Sequence, residues 1–128
     1  MIPSFRAWDK KTQTTLDVSL IDFKKNVLIG EHWEFGETNF INFDEIELMQ
    51  STGLCDKAGT EVFEGDILRH QIQTDYTFIV KYDKDNGRWY GDGLSRTYRI
   101  DITKDFLQYY KVIGNIYENL ELLENKEE

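Results

Sequence analysis

The spacing of apolar residues along the chain predicts a mainly β protein with only short helices. In segment 76–82 every second residue is aromatic or aliphatic, so these side chains would share one face of a strand. The Asn86-Gly87 pair that follows is a strong hairpin signal, and residues 88–90 would return beside the first strand. This half of the chain therefore predicts a β-hairpin at its centre.

Further strands are predicted on both sides of this hairpin. Residues 67–73 precede it, and residues 112–117 form the last strand. Between the hairpin and the last strand, Thr103 is a suitable N-cap for a short helix through Tyr110. Five short strands with one helical insert before the last predict an SH3-like small barrel for residues 51–128.

The N-terminal part, residues 1–50, has a weaker pattern. Residues 5–18 read as a hairpin, with a polar turn over residues 9–12. Farther along, residues 27–29 predict a strand that ends at Gly30, and residues 45–49 predict another. The interval 31–42 lacks a period of either kind, so we expect irregular structure there. The two parts are expected to form one compact unit.

Residues 49–68, the glycine-rich segment, contain closely spaced turn signals between short apolar runs. We expect turns over residues 50–53, 56–59 and 64–66, because Asp bonds to its own backbone and Gly accepts positive φ. This pattern shapes the backbone and carries little chemistry.

Two more segments, together with the glycine-rich segment, resemble a known protein family. They are residues 5–9, Phe-Arg-Ala-Trp-Asp, and residues 112–119, Val-Ile-Gly-Asn-Ile-Tyr-Glu-Asn. Together, over residues 5–123, the three segments resemble the YopX family, small proteins from phages and prophages of Gram-positive bacteria. The positions expected to form its structural motif are Gly53, Asp56, Gly59, Glu64, Gly65, Asp66, Gly114 and Asn115.

The chain departs from this family pattern at two positions. Cys55 stands where a polar residue is common, and Leu120 stands where a proline is frequent. The family has no established biochemical activity. The resemblance therefore implies a fold and a phage or prophage setting, without a mechanism.

The net charge of −9 disfavours non-specific binding to nucleic acid, because an acidic surface repels phosphates. Residues 31–47 hold six acids and no Lys or Arg, and the tail from Val112 holds five glutamates against Lys126 alone. A solvated acidic face explains both runs more simply than a basic partner does. The first residues lack the apolar run of a signal peptide and no stretch is long enough to span a membrane, so we expect a cytoplasmic protein of the host bacterium, without membrane contact.

The residue types that perform catalysis or bind metals are sparse and scattered. His32 and His70 show no metal-ligand spacing with Cys55, and one cysteine excludes an internal disulfide. Glu64 and Asp66 could pair as acid and base, but a turn that orients a strand is far commoner. We also expect Trp33 to pack beside a solvated His32. The sequence predicts no catalytic residue, no cofactor and no metal site, and therefore no enzyme.

One constellation of cations and aromatic residues is a candidate interaction surface. It comprises Arg88, Trp89, Tyr90, Arg96, Tyr98 and Arg99. Such mixtures stack single-stranded bases, form protein interfaces, or simply pack across strands. Cross-strand packing is the simplest interpretation, a protein interface follows, and nucleic acid is disfavoured by the acidic surroundings.

The sequence thus favours a non-enzymatic phage accessory protein that acts through protein contacts. Its partners would be further copies of itself, as a homo-oligomer, or an unknown phage or host protein. The alternative is a nucleic-acid-binding small barrel that works in phage replication or gene control.

Overall fold

The described part of the chain is built from antiparallel β-strands with one four-residue α-helix and two 3₁₀ turns. A computed structural model describes residues 4–94 and 99–123. The expected mainly β fold with short helices is confirmed. The chain divides into two compact units, Met1–Ser51 and Thr52–Glu128.

The first unit contains an antiparallel sheet in the order β4-β3-β2-β1-β6, with β5 paired to β3. Its strands are β1 (Phe5–Asp9), β2 (Thr14–Asp22), β3 (Val27–His32), β4 (Gly36–Glu37), β5 (Ile41–Asn42) and the part of β6 (Ile46–Cys55) up to Ser51. A 3₁₀ turn, Phe43–Glu45, precedes β6. Ala7, Leu28 and Ile46 are the buried residues of its hydrophobic cluster.

The predicted N-terminal hairpin is confirmed as β1 and β2. Arg6 pairs with Asp17, and Asp9 pairs with Thr14. Asp9 orders the loop, because its carboxylate accepts the Lys11 N–H at 3.0 Å and its carbonyl accepts the Gln13 N–H at 2.8 Å.

The expectation of irregular structure over residues 31–42 is wrong in part. β3 continues to His32, and β4 and β5 lie in this interval. Strands of two residues are too short to display an alternation, which is why the sequence gives no sign of them.

Gly30 does not end a strand as expected. A Cβ at this position would lie 2.8 Å from Cδ1 and 2.9 Å from Cβ of Leu16, on the neighbouring strand. The glycine therefore permits close packing inside the sheet, where the sequence suggested a terminator.

The turn expected over residues 50–53 is also absent, because these residues lie within β6. Gly53 has a φ of 80°, so the strand takes a left-handed step without ending. The two residues that precede it bond to different segments: the Ser51 N–H donates to the Ser4 carbonyl at 2.8 Å, and the Thr52 hydroxyl donates to the Val62 carbonyl at 2.8 Å. The sequence analysis took a glycine with positive φ as the mark of a turn. Gly53 instead adopts this φ inside a strand whose preceding residues, Ser51 and Thr52, bond to segments on its two sides.

The second unit contains a five-stranded antiparallel sheet in the order β11-β10-β9-β8-β12. The strands are β7 (Glu61–Phe63), a neighbour of β6, then β8 (Asp66–His70), β9 (Thr77–Asp83), β10 (Arg88–Gly93), β11 (Arg99–Asp101) and β12 (Tyr110–Asn115). Over residues 4–94 and 99–123 this sheet does not close, so the SH3-like barrel is corrected to an open sheet. The alternation of apolar and polar residues assigns side chains to the two faces of a sheet. It does not decide whether the two edge strands pair to close a barrel.

The predicted helical insert is confirmed as α1 (Lys104–Leu107), between β11 and β12. The Thr103 side chain accepts the Phe106 N–H at 3.1 Å, as an N-cap does. The helix ends before Tyr110 because that residue already belongs to β12. Leu107 and Tyr110 enter the core of this unit with Val62, Leu68, Phe78, Val80 and Ile102.

The predicted central hairpin is confirmed, with residues 84–87 as its loop between β9 and β10. Gly87 takes a φ of 66° and donates its N–H to the Asp83 carbonyl at 2.8 Å. The loop is longer than a two-residue turn because the Asp83 carboxylate also accepts the N–H groups of Asp85 and Asn86.

Candidate interaction site

Asp56 joins two distant segments of the second unit. One carboxylate oxygen accepts the N–H groups of Ala58 and Thr60, each at 2.8 Å. The other accepts the Val112 N–H at 2.8 Å, across 56 positions of sequence. Gly59 completes the turn with a φ of 86°. Both oxygens of this buried carboxylate are therefore occupied by backbone donors.

Gly65, Asp66 and Asn115 form a second polar junction. Asp66 is fully buried, accepts the Phe63 N–H at 2.8 Å, and lies opposite Asn115 in the β8–β12 ladder. Gly65, at a φ of 88°, donates its N–H to the Val80 carbonyl and accepts the Ile116 N–H. Half-buried Glu64 precedes it in the same turn. These bonds of Gly65 and Asp66 therefore hold the backbone of this junction in place.

Asn115 and Gly114 shape the chain after β12. The Asn115 side chain accepts the N–H groups of Tyr117 and Glu118 at 2.9 and 2.8 Å. The Asn119 side chain accepts the Asn115 N–H at 3.1 Å, close against Gly114, where a Cβ would clash with it. A 3₁₀ turn, Leu120–Leu122, follows.

The structure pairs the described arginines of the candidate surface with aspartates. Arg88 lies 3.2 Å from Asp101, and Arg99 lies 3.0 Å from Asp83. The Arg99 guanidinium also covers the Tyr90 ring, 3.6 Å from its centroid. This face of the sheet is thus charge-compensated. Arg96 and Tyr98 lie outside the described residues.

The described aromatic residues of this set are divided between the two faces of the sheet. Tyr90 is paired with Lys81 and shares its face, where Lys81 contacts Asp92 at 2.7 Å. Trp89 is paired with Tyr82 on the opposite face, with ring centroids 4.8 Å apart, and packs against the core. Trp89 and Tyr90 therefore do not form one stacking platform.

Asn86 is the main cause of a shifted acidity in this region. The hydrogen bond from its side-chain amide holds the pKa of Asp83 below the ordinary value of 3.8. Partial burial opposes this shift, whereas the N–H groups of Asn86 and Asp85 and the Arg99 guanidinium support it.

Residues 32–40, the aromatic loop, expose large aromatic side chains, of which the sequence analysis placed only Trp33, beside His32. Trp33 is 87% exposed, Phe35 79% and Phe40 61%. His32 and Trp33 do stack, with ring centroids 5.8 Å apart, but this contact leaves most of the indole in water. The segment has no regular spacing of apolar residues, so its sequence carries no signal that separates an exposed loop from a packed one.

The base of the aromatic loop is fixed to β3. The Thr38 N–H donates to the Gly30 carbonyl at 2.8 Å, and the Thr38 hydroxyl accepts the Gly30 N–H at 2.9 Å. His32 Nδ1 accepts the N–H groups of Glu34 and Phe35 at 3.0 and 3.3 Å. The exposed rings are therefore carried on an ordered turn.

His70, at the end of β8, has the same arrangement in the second unit. Its Nδ1 accepts the N–H groups of Ile72 and Gln73 at 3.1 and 3.0 Å. Because Nδ1 accepts in both histidines, the ring proton of the neutral form lies on Nε2.

The second unit also has a surface groove of about 550 Å³. It is lined by Gly53, Leu54, Cys55, Asp56, Lys57, Lys104, Leu107 and Gln108. Half-buried Leu54 supplies apolar surface, Leu107 lies buried beneath, and Lys57 and Lys104 are exposed. Cys55 is a free, exposed thiol in this groove.

The described residues contain neither a metal-binding cluster nor a membrane-spanning helix. Within residues 4–94 and 99–123, no group of three or more His, Cys, Asp or Glu side chains is arranged to hold a metal ion. In the same part of the chain, no helix has the length and apolar character needed to cross a membrane.

The fold and these surfaces define a mainly β protein whose polar motif residues serve the architecture. The chain belongs to the YopX family, since the family model described as YopX protein matches residues 4–124. The resemblance found in the sequence is thereby confirmed. The comparison with curated proteins found no match.

Two solved structures are similar to the chain over nearly its whole length. Protein EF1440 from Enterococcus faecalis is 31% identical, with a TM-score of 0.67, and the match covers 96% of this chain and 99% of that one. Protein yopX from Bacillus subtilis is 15% identical, with a TM-score of 0.58 and coverage of 94% and 95%. The second likeness concerns the fold alone.

Asp56→Ala is expected to lower the free energy of unfolding by about 3 kcal/mol, because three backbone donors lose a buried charged acceptor. Asp56→Asn retains one oxygen and should cost less. Urea unfolding followed by tryptophan fluorescence measures both changes. Asp85→Ala, which removes an exposed carboxylate, is the matched control and should change stability by less than about 0.5 kcal/mol. Equal effects of Asp56→Ala and Asp85→Ala would contradict the role given to Asp56.

Asn86→Ala is expected to raise the pKa of Asp83 towards 3.8, since it removes the main hydrogen bond that favours the carboxylate. A lowered pKa in the folded state stabilises the protein above pH 3.8, and this contribution is lost as the pH falls through the lowered value. A carboxyl ¹³C NMR titration of both proteins measures the shift. An unchanged Asp83 titration in the variant would show that Asn86 is not its cause.

Proposed function

We propose that the protein is a non-enzymatic accessory module that self-associates through the aromatic loop. Its setting would be a phage or prophage of a Gram-positive bacterium, with action in the host cytoplasm, as the resemblance of the sequence implies. Its partners would be further copies of the chain, and the same surface could serve a phage or host protein.

The exposure of Trp33 and Phe35 is the observation that carries this proposal. Leaving two large aromatic side chains 87% and 79% exposed forgoes the stabilisation of about 1.5–3 kcal/mol that each buried side chain supplies. Trp is also among the residues enriched at the energetic centres of protein interfaces. Exposed aromatic residues in one ordered loop therefore support a contact with another protein.

The anchored base of the aromatic loop supports the same function. Its bonds to Gly30 and its His32 turn hold the backbone before any partner arrives. A preorganised loop loses less conformational entropy on binding than a loop that must order itself. The loop is thus suited to insertion into a partner.

Nucleic acid is the weaker candidate, because the cations that suggested it have partners. Arg88 and Arg99 are each paired with an aspartate, and Arg99 covers a face of the Tyr90 ring. A phosphate would have to displace these contacts on a chain of net charge −9.

Replacing both exposed rings, in Trp33→Ala/Phe35→Ala, is expected to convert a multimer into a monomer. The dissociation constant of self-association should rise by about thirtyfold or more, as the loss of about 2 kcal/mol from one interface centre implies. Light scattering over a concentration series measures the mass of the wild type and the variant.

Ile72→Ala is the matched control, since Ile72 is an equally exposed apolar residue of the second unit. It should leave the multimer unchanged, and the thermal unfolding of both variants should stay close to that of the wild type. A wild type that is monomeric at every concentration, or a multimer that survives the double substitution, would refute the proposal.

A further inference from the structure

The groove of the second unit carries positive charge on an otherwise acidic protein. Lys57 and Lys104 stand at its surface, and neither lies within ion-pair distance of a carboxylate among residues 4–94 and 99–123. The carboxylate of Asp56, which also lines the groove, already accepts three backbone N–H groups. Half-buried Leu54 provides apolar surface in the same groove.

The aromatic loop has the opposite character. Glu31, Glu34 and Glu37 are exposed around Trp33 and Phe35, and the described part of the chain places no cation on these glutamates.

We infer that the groove receives the aromatic loop of a second copy of this chain. The proposal rests on the proposed function and specifies the contact through which copies associate. Trp33 and Phe35 would pack on the half-buried Leu54, and Glu31, Glu34 and Glu37 would face Lys57 and Lys104. A volume of about 550 Å³ lies within the roughly 300–1,000 Å³ of pockets that enclose small molecules.

This contact joins two different surfaces, a loop on one copy and a groove on the next. Such heterologous contacts produce rings when the rotation closes, and open chains when it does not. Each interior copy would use both surfaces, so damage to either one should be sufficient to prevent assembly.

Lys57→Glu/Lys104→Glu reverses the charge of the groove and is expected to raise the dissociation constant of self-association by about tenfold or more. Lys84→Glu/Lys111→Glu makes the same change in net charge at exposed lysines outside the groove and should have little effect. Light scattering of all variants, with thermal unfolding to verify folding, gives the comparison.

Mixing the two damaged proteins is the decisive measurement. The Trp33→Ala/Phe35→Ala protein retains its groove, and the Lys57→Glu/Lys104→Glu protein retains its loop. Each alone should be monomeric, and the mixture should form a one-to-one complex through a single intact contact. A mixture that remains monomeric would overturn the inference.

Cys55 permits a direct test of the contact, because it is the one cysteine of the chain and lines the groove. A photoactivated benzophenone on this thiol, in a mixture of ¹⁵N-labelled and unlabelled protein, should cross-link to residues 31–40 of the other copy. Cross-links confined to other segments would contradict the proposed docking.

The outcomes separate this inference from the proposed function. Loss of assembly in the loop variant together with normal assembly in the groove variant would overturn the groove alone. Assembly that persists in the loop variant would overturn both. Loss of assembly in each variant with recovery in the mixture supports both.

Discussion

The carboxylate of Asp56 is the constraint on which the second unit depends. It binds the turn after β6 to the edge strand β12, and the Lys57 N–H adds a bond to the Tyr110 carbonyl at 3.0 Å. The same two segments bound the groove, since residues 53–57 form one wall and α1, which directly precedes β12, supplies the other. One buried anion with three backbone donors thus fixes both the architecture of the unit and the shape of its groove.

Charge compensation distinguishes the surfaces of this protein. On the outer face of the β9–β11 sheet, Arg88 and Lys81 each meet an aspartate on the adjacent strand, and Arg99 meets Asp83 two strands away. Such exposed pairs contribute little stability individually, but they leave this face electrostatically neutral. The aromatic loop and the groove carry charges of opposite sign without such neighbours. The acidic chain therefore has one sheet face whose charges form ion pairs, and two surfaces, the aromatic loop and the groove, whose charges do not.

Sequence patterns predicted the elements that depend on local chemistry. The alternation in β9, the Asn86-Gly87 loop and the Thr103 cap are all local, and each appears in the structure. The sequence interpretation failed where contacts with residues distant in sequence determine the local structure. Gly30 is explained by Leu16 on another strand, and Gly53 by pairing on both sides of β6. The exposure of Trp33 was missed because an apolar residue in an unpatterned segment gives no sign of whether a core exists to receive it.

His32 has two roles, and different parts of its ring carry them. Its Nδ1 shapes the turn by accepting two backbone N–H groups, whereas its ring face stacks on Phe35 with centroids 4.7 Å apart. Asparagine places an acceptor oxygen the same number of bonds from Cα, so it can preserve the turn while removing the aromatic face. A single substitution at residue 32 can therefore remove the aromatic contact with Phe35 while the backbone turn and strand β3 stay unchanged.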